Sequence, residues 1–271
     1  MKNELSADQI KSYHEKGSIV IDEFLTQDEL AVWRDAVDEA VARRGSEKLP
    51  FGRWKSEKRD YYDRVFVQRL NLWQDSEAVR ELILDPRIGK MCCELEGVDG
   101  IRVWHDQALI KEPWGNPTAW HLDNPYWSFT SRHAISIWVA LDDATQQNGC
   151  MYLIPGSHLS GDHDRQAGID ENVGGLFELY PEWADIDPIC AAMTAGSCSF
   201  HNGLTAHGAG ANMTPGYRRA MTCGYMPDGC TYNGAPNILP ESYTDSIEIG
   251  DALESEEHNP LVWPKEMATA I

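Results

Sequence analysis

The strongest constraint on the fold is a series of short strand-like runs that begins at residue 101. Six apolar or alternating runs occupy 101–111, 119–123, 134–141, 151–154, 197–201 and 219–225. Turn sequences such as Gln-Asn-Gly at 147–149 and Pro-Gly-Ser at 155–157 separate them. Many short strands with such turns are typical of a β-sandwich or barrel. We therefore expect a mainly β core.

The first hundred residues follow a helical pattern instead. Ser6 with Gln9, and Thr26 with Glu29, have the spacing of capping boxes that open helices. Behind the second box, apolar residues recur every three or four positions and mark one buried face: Leu30, Trp33, Val37 and Val41. A further helix is expected over 86–96, where proline follows a capping aspartate. We expect these helices to pack on one sheet of the core.

The predicted organisation is a single domain over residues 1–271. A largely helical buttress covers 1–99, the β core covers 100–226, and a loop-rich tail covers 227–271. Chains of this length with a β core commonly form one domain. The polar, glycine-containing segment 161–175 is long for a simple connection, which is typical of a lid.

Charge and composition exclude several classes of partner. The formal net charge is −20, so the average surface repels nucleic acid and anionic membranes. No apolar run approaches the length of a membrane span, and the first residues contain no apolar signal core. Seven cysteines without a Cys-x-x-Cys pair indicate neither a disulfide framework nor a thiolate zinc site. We expect a cytoplasmic protein with a small-molecule substrate; the sequence does not indicate an oligomeric state.

One histidine and one aspartate in the second strand-like run indicate a metal site. If His121 and Asp123 lie on a strand, their side chains point to the same side because they are two residues apart. With a second histidine, they form the two-histidine, one-carboxylate face of non-haem iron sites. On its own, a His-x-Asp pair on a strand is more often a hydrogen-bonded surface pair than a metal site, so the metal interpretation needs support from other residues.

Two later histidines compete for the third position, His201 and His207. Glycines follow His207 at positions 208 and 210, which lets the backbone pass close to it. Arg218 comes next, at the start of a strand-like run, and an arginine can bind a carboxylate through two parallel hydrogen bonds. These features favour His207 as the third ligand and His201 as a packed group nearby.

Taken in order, these motifs resemble the phytanoyl-CoA dioxygenase family. The motifs are His121-x-Asp123, Asn148-Gly149-Cys150, Pro155-Gly156-Ser157-His158, His207-Gly208-x-Gly210-x-Asn212 and Arg218. The resemblance covers about residues 8–226, including the helical start. Family members are oxygenases built on a double-stranded β-helix, a jelly-roll, cupin-like core. The resemblance thus implies three cofactors: ferrous iron, 2-oxoglutarate and dioxygen.

The resemblance also assigns roles to four residues. It implies that His121, Asp123 and His207 hold the iron, and that Arg218 pairs with the distal carboxylate of 2-oxoglutarate. Related halogenases have glycine or alanine at the carboxylate position, which frees a site for chloride. Because Asp123 occupies that position here, hydroxylation, desaturation or ring-forming oxidation is favoured over halogenation.

The cosubstrate pocket is similar to that of the family, with one departure. Lys111 and Trp138 match positions that line the pocket in family members. Ala209 stands where many members have serine, which removes one hydroxyl donor to the cosubstrate carboxylate. Thr222 and Tyr126 are the candidates to replace that donor.

The substrate side is less well defined by the sequence. Asn124, Tyr126 and Trp127 directly follow the metal pair and are our candidates for substrate contact. An acidic surface argues against a bulky CoA thioester and favours a metabolite, such as a natural-product intermediate, with an apolar or aromatic portion. A basic cluster at 53–64 is interpreted as a solvated loop rather than a site for an anionic substrate. Structural roles are expected for the remaining histidines considered: His105, His133, His158 and His163.

Two other functions use the same three ligands. A non-catalytic, metal-binding cupin-like module needs the triad but not Arg218. A zinc-dependent hydrolase uses such a triad to activate water. Oxygen-dependent conversion of 2-oxoglutarate to succinate distinguishes the oxygenase from both.

Overall fold

Two antiparallel β-sheets form the centre of the molecule. A computed structural model describes residues 1–50 and 61–264. The strands are β1 (Ser18–Ile21), β2 (Val67–Leu70), β3 (Ile101–Lys111), β4 (Thr118–His121), β5 (Ile135–Ala140), β6 (Met151–Leu153), β7 (Ile189–Ala191), β8 (Cys198–Asn202), β9 (His207–Ala209), β10 (Arg218–Pro227) and β11 (Leu261–Trp263). The α-helices are α1 (Ala7–Lys16), α2 (Gln27–Arg44), α3 (Glu77–Ile83), α4 (Pro86–Glu96), α5 (Leu176–Leu179) and α6 (Glu241–Thr244).

The larger sheet has seven strands and the smaller sheet has four. The larger sheet runs β1-β8-β5-β10-β3-β11, with β2 also paired to β3, and the smaller sheet runs β4-β9-β6-β7. Neighbouring strands in both sheets are antiparallel. The described strands leave the two sheets separate, so the core is a two-sheet jelly roll and not a closed barrel. The predicted mainly β, double-stranded β-helix core with flanking helices is confirmed.

The two faces of the larger sheet bury different partners because successive side chains alternate. Outward-facing apolar residues pack with helices α1, α2 and α4 in one cluster, and they include Ile137, Val139, Met221 and Cys223. Inward-facing residues pack against Met151 and Leu153 of the smaller sheet, and they include Trp138, Ala140 and Ala220. The helices therefore support the sheet from outside and leave its inner face for the site.

The N-terminal helices begin where the sequence predicts. Both capping boxes are present, with Ser6 and Thr26 each accepting a bond from the backbone three residues later. In α2 the expected apolar face is buried at Leu30, Trp33 and Val37, whereas Val41 is only half-buried. None of the helices in the described ranges has the length and apolarity needed to cross a bilayer.

The structure differs from the sequence prediction at several strands. β4 ends at His121 and does not extend to residue 123. The short strands β2, β7, β9 and β11 were not predicted, and β11 brings the tail back to pair with β3. The division of one domain at residues 99 and 226 stays a prediction.

Candidate metal centre and cosubstrate pocket

Three side chains converge at one end of the smaller sheet. His121 ends β4 and His207 begins β9, and these two residues lie directly opposite each other in the antiparallel pair. Their ring centroids are 4.2 Å apart. The Nε2 atom of each ring lies 3.7 Å from the Oδ1 atom of Asp123. The predicted triad is therefore brought together, with its three ligand atoms within 4.8 Å of one another.

Backbone carbonyls fix the orientation of both imidazoles. The Nδ1 atom of His121 lies 2.8 Å from the Ala119 carbonyl oxygen, and that of His207 lies 2.9 Å from the Thr205 carbonyl oxygen. A carbonyl only accepts, so Nδ1 carries the proton and Nε2 presents a free lone pair to the centre. Burial lowers the pKa of both rings, that of His121 to about 4, so both are neutral at pH 7.

Asp123 reaches the centre from a turn and not from a strand. Its backbone has helical angles, φ −78° and ψ −52°, and its amide donates to the Gly203 carbonyl oxygen. The prediction that His121 and Asp123 share a strand is therefore wrong, because β4 ends between them. The turn still directs the carboxylate toward His207, since Gly203 ties it to the segment that precedes β9.

The second oxygen of this carboxylate is held by two neighbouring side chains. Ser136 donates to Oδ2 of Asp123 at 3.1 Å, and His201 Nε2 lies 3.3 Å from the same atom. Burial alone would raise the pKa of Asp123, but the positive charges that His207 and His121 carry when they are protonated in acid, together with the hydrogen bond from His201, outweigh burial and hold that pKa well below its ordinary value. Oδ1 is thus left to face the two Nε2 atoms. The structure places His207 in the cluster and His201 behind the carboxylate.

The inner face of the larger sheet carries these supporting groups side by side. His105, Gly224, Ser136 and His201 are cross-strand neighbours on β3, β10, β5 and β8. The indole of Trp127 lies over Gly224, where an added Cβ would be 3.0 Å from the ring. His105 lies edge-on to Trp127, with ring centroids 5.8 Å apart. A structural role in packing was expected for His105, but its side chain also lines the cavity beside the triad.

Arg218 is a buried cation without an acidic partner among the described residues. It is 2% exposed, and its Nε and Nη1 groups have no hydrogen-bond partner in the part of the chain described. Its guanidinium carbon lies 5.2 Å from the Trp138 ring, in a cation–π contact. Burial lowers the pKa of Arg218 to about 10. A guanidinium in this state fits a carboxylate ligand.

Lys111 lies beside Arg218 as its cross-strand partner on β3. Burial, and secondarily the charge of Arg218, lower the pKa of Lys111 to about 7. Its Nζ donates to the Asn116 carbonyl oxygen at 2.7 Å. Trp138 lines the cavity as predicted, whereas Lys111 is not among the described residues that line it. Contact between Lys111 and the cosubstrate stays a prediction.

A single cavity of about 400 Å³ joins the triad, Arg218 and an aromatic chamber. The chamber walls are formed largely by apolar and amide side chains: Tyr62, Phe66, Gln68, Leu70, Gln107, Tyr126, Trp127, Gln166, Ile169, Asn237 and Ile238. Segment 161–175, which was predicted to be a lid, contributes Gln166, Gly168 and Ile169 to the lining. Tyr126 donates its hydroxyl to the Ala167 carbonyl oxygen, which ties this segment to the turn at 123–126 that carries Asp123, here called the metal-site turn.

Two of the three candidates for substrate contact line the cavity, and the third does not. Tyr126 and Trp127 line the cavity. Asn124 does not; it is 1% exposed, and its amide bonds the backbone of Phe129 and Ser131. Asn124 therefore shapes the turn after the metal pair. Most of the basic cluster at 53–64 lies outside the described residues.

Neither candidate for the missing serine hydroxyl has a free donor. Thr222 donates its hydroxyl to the Ile137 carbonyl oxygen at 2.7 Å, and Tyr126 donates to Ala167. Ala209 lines the cavity, and its side chain has no hydroxyl to offer. Ser136 and Thr118 also face the site, and neither was predicted to do so. Alternation along 135–140 was the available signal for Ser136, but nothing local marked Thr118.

The donor set fits a ferrous ion with a dicarboxylate beside it. Two imidazole nitrogens and one carboxylate oxygen form one face and leave other positions open, as in non-haem iron oxygenases. The unpartnered groups of Arg218 lie in the same cavity and match a carboxylate.

Comparisons with known proteins agree with this site. The model of the family described as phytanoyl-CoA dioxygenase (PhyH) matches residues 13–220. The peroxisomal phytanoyl-CoA dioxygenase of Rattus norvegicus is 29% identical over 268 residues, covering 92% of this chain and 77% of the relative. The crystal structure of SnoK, a non-haem α-ketoglutarate-dependent carbocyclase from nogalamycin biosynthesis, has a TM-score of 0.79 and 28% identity, covering 95% of this chain and 96% of SnoK.

A second solved structure contains iron and α-ketoglutarate. The epimerase SnoN, in complex with Fe3+, α-ketoglutarate and nogalamycin RO, has a TM-score of 0.76 and 26% identity, covering 94% of this chain and 97% of SnoN. The family match, the shared fold and the triad therefore support the same family assignment. The chain belongs to the phytanoyl-CoA dioxygenase family of iron(II)- and 2-oxoglutarate-dependent oxygenases.

Proposed function

We propose that this enzyme oxidises a neutral small molecule with an apolar ring system, using His121, Asp123 and His207 as iron ligands. In this proposal Arg218 binds the distal carboxylate of 2-oxoglutarate. The observation that carries it is the cavity in which three converging ligand atoms face the same space as a buried guanidinium that has no acidic partner among the described residues. A metal-binding module or a zinc hydrolase gives no reason for such a guanidinium.

The spacing of the residues that contact the Arg218 guanidinium and the metal triad suits a five-carbon diacid. The Arg218 guanidinium lies against Trp138, and Ser136, which holds Asp123, precedes Trp138 by two residues on the same strand face. Two residues along a strand span about 7 Å, so the position that contacts the guanidinium and the position that contacts Asp123 are about that far apart. One carboxylate of the diacid would then reach Arg218 while its keto acid end reaches the metal.

The roles of the protein groups follow from their contacts. Ferrous iron with 2-oxoglutarate supplies a dioxygen-dependent oxidation that removes hydrogen from carbon and yields succinate and carbon dioxide. Ser136 and His201 keep one oxygen of Asp123 occupied, so the other stays directed at the metal position. Because Asp123 supplies the third protein ligand, we propose hydroxylation or a ring-forming or desaturating oxidation, and not halogenation.

The chamber walls support a neutral, oxygen-bearing ring substrate. Apart from Asp123, Arg218 and histidines, the described lining residues are uncharged. Flat aromatic walls at Tyr62, Trp127 and Phe66 suit a ring. The amides of Gln68 and Gln107 bond each other and can bond hydroxyl or carbonyl oxygens of a substrate. Both SnoK and SnoN are enzymes of nogalamycin biosynthesis, which supports a natural-product intermediate as the substrate class.

An anaerobic titration tests the cofactor assignment. Ferrous iron and then 2-oxoglutarate are added to the wild type, to Arg218→Ala and to the control Arg219→Ala, and visible charge-transfer absorption is followed. We expect the band in the wild type and the control, and a much weaker affinity for 2-oxoglutarate in Arg218→Ala. His121→Ala and Asp123→Ala should abolish oxygen-dependent succinate formation. Full activity of Asp123→Ala would overturn the ligand assignment.

A further inference from the structure

A β-bulge brings an additional hydroxyl to the cosubstrate side of the cavity. In the β4–β9 pair, Thr118 lies opposite Ala209 and His121 lies opposite His207. Three residue steps on β4 therefore match two steps on β9, with the register shifting between the two pairs. Without the extra residue, positions three apart on a strand would face opposite sides. The bulge lets both Thr118 and His121 face the cavity.

The Thr118 hydroxyl is buried and has no partner in the described part of the chain. The residue is 6% exposed, and its Oγ1 atom makes no hydrogen bond to any described group. Buried polar groups are nearly always satisfied in native proteins, so an orphan of this kind indicates a missing ligand. Thr118 lines the cavity that also contains the unpartnered groups of Arg218. One anion in that space would satisfy both residues.

Position explains why this hydroxyl can replace the one that Ala209 lacks. Directly opposed residues of an antiparallel pair have Cβ atoms about 5 Å apart and point to the same face. A hydroxyl on Thr118 therefore enters the pocket close to where a serine at position 209 would place its own. The two other candidates are excluded because the hydroxyls of Thr222 and Tyr126 already donate to backbone carbonyls.

We infer that Thr118 donates a hydrogen bond to the distal carboxylate of 2-oxoglutarate, supplying from β4 the contact that Ala209 cannot make from β9. This inference rests on the proposed function, since it needs the cosubstrate in the Arg218 pocket. Thr118 is thereby a cosubstrate-binding residue whose direction is set by the bulge.

A thermodynamic cycle of four proteins tests the inference through binding rather than turnover. Wild type, Thr118→Val, Ala209→Ser and the double variant are titrated anaerobically with 2-oxoglutarate in the presence of ferrous iron, and the charge-transfer band gives Kd. Loss of a hydrogen bond to a charged group should raise Kd about ten- to hundredfold in Thr118→Val. Ala209→Ser should restore most of that affinity in the double variant, and Thr118→Ser should bind like the wild type.

Stability provides the control for folding. Before the cosubstrate binds, the wild-type hydroxyl has no partner among residues 1–50 and 61–264, so Thr118→Val should leave the apoprotein at least as stable as the wild type and should leave iron affinity unchanged. An unchanged Kd in Thr118→Val, or a change in substrate affinity alone, would overturn the inference. So would a double variant that binds no better than Thr118→Val. Absence of the band in the wild type would instead refute the proposed function, and this inference with it.

Discussion

Replacing Arg218 with methionine should make the apoprotein more stable while removing cosubstrate binding. Burial lowers the pKa of Arg218 to about 10. Lowering a pKa by one corresponds to about 1.4 kcal/mol of free energy lost by the charged form. The charged guanidinium is therefore destabilised by about 3 kcal/mol in the absence of an anion. Loss of the cation–π contact with Trp138 removes about 1 kcal/mol of stabilisation. We expect a net gain of about 1–2 kcal/mol in the free energy of unfolding.

Urea unfolding with and without cosubstrate measures both effects. A ligand that binds only the folded state at one hundred times its Kd stabilises it by about 2.7 kcal/mol. Wild type with ferrous iron and saturating 2-oxoglutarate should therefore unfold at higher urea than the same protein with iron alone. Arg218→Met should show no such shift. The order of stability should thus reverse: the variant is more stable without 2-oxoglutarate, and the wild type is more stable with it.

Arg219→Met is the matched control, because the neighbouring arginine is half-buried but paired. Arg219 bonds both Asp142 and Asp38. Its replacement should lower the stability of the apoprotein by up to about 1 kcal/mol and leave 2-oxoglutarate binding intact. If Arg218→Met lowers apoprotein stability as Arg219→Met does, the Arg218 guanidinium has a partner before cosubstrate binds, and the reasoning from its burial is refuted.

Three further predictions concern the groups around this pocket. Ser136→Ala should raise the Kd for ferrous iron about tenfold or more, because it removes a donor to the triad carboxylate, whereas Ser199→Ala on β8 should not; anaerobic iron titration measures both. Gly224→Ala should push the Trp127 ring by a few tenths of an ångström and destabilise the protein by about 1–3 kcal/mol, which thermal unfolding measures. The same variant should bind substrate more weakly but still bind 2-oxoglutarate, which binding titrations measure. The pKa of Lys111 near 7 in the folded protein lies below the unfolded value of about 10.4, so the unfolded state binds more protons between these values. The stability advantage of Lys111→Met over the wild type should therefore shrink as pH rises from 7 to about 8.5 in urea unfolding of the apoprotein, and a constant difference would contradict this.

The sequence identified the chemistry of the triad because that information is local. A His-x-Asp pair, a histidine framed by glycines and a later arginine are each readable from neighbouring residues. The choice of His207 over His201 agrees with the geometry, in which only His207 lies within the cluster of three ligand atoms among the described residues. The capping boxes were predictable for the same reason, since each involves residues three positions apart.

Features that depend on strand pairing were not readable from one sequence. Ser136 acts on Asp123 only because β5 lies beneath the metal-site turn, and Thr118 faces the cavity only because of a bulge. A bulge changes which residues share a face, so strict alternation along β4 gives the wrong side for Thr118 relative to His121. The end of β4 was misplaced for a similar reason, since the tie between Asp123 and Gly203 joins segments eighty residues apart along the chain.

The two halves of the site differ in how completely the protein satisfies their polar groups. At the metal half, the Nδ1 atoms of the two proposed ligands, His121 and His207, each have a backbone carbonyl, and the outer oxygen of Asp123 has two donors, so these three side chains are oriented before any ion arrives. At the cosubstrate half, Arg218 and Thr118 are buried with donors that no described group accepts. Orientation at the first half requires no ligand, whereas the second half is destabilised until an anion enters it. Arg218 and Thr118 place such donors in one cavity, so we expect part of the affinity for 2-oxoglutarate to come from relieving a cost already present in the apoprotein.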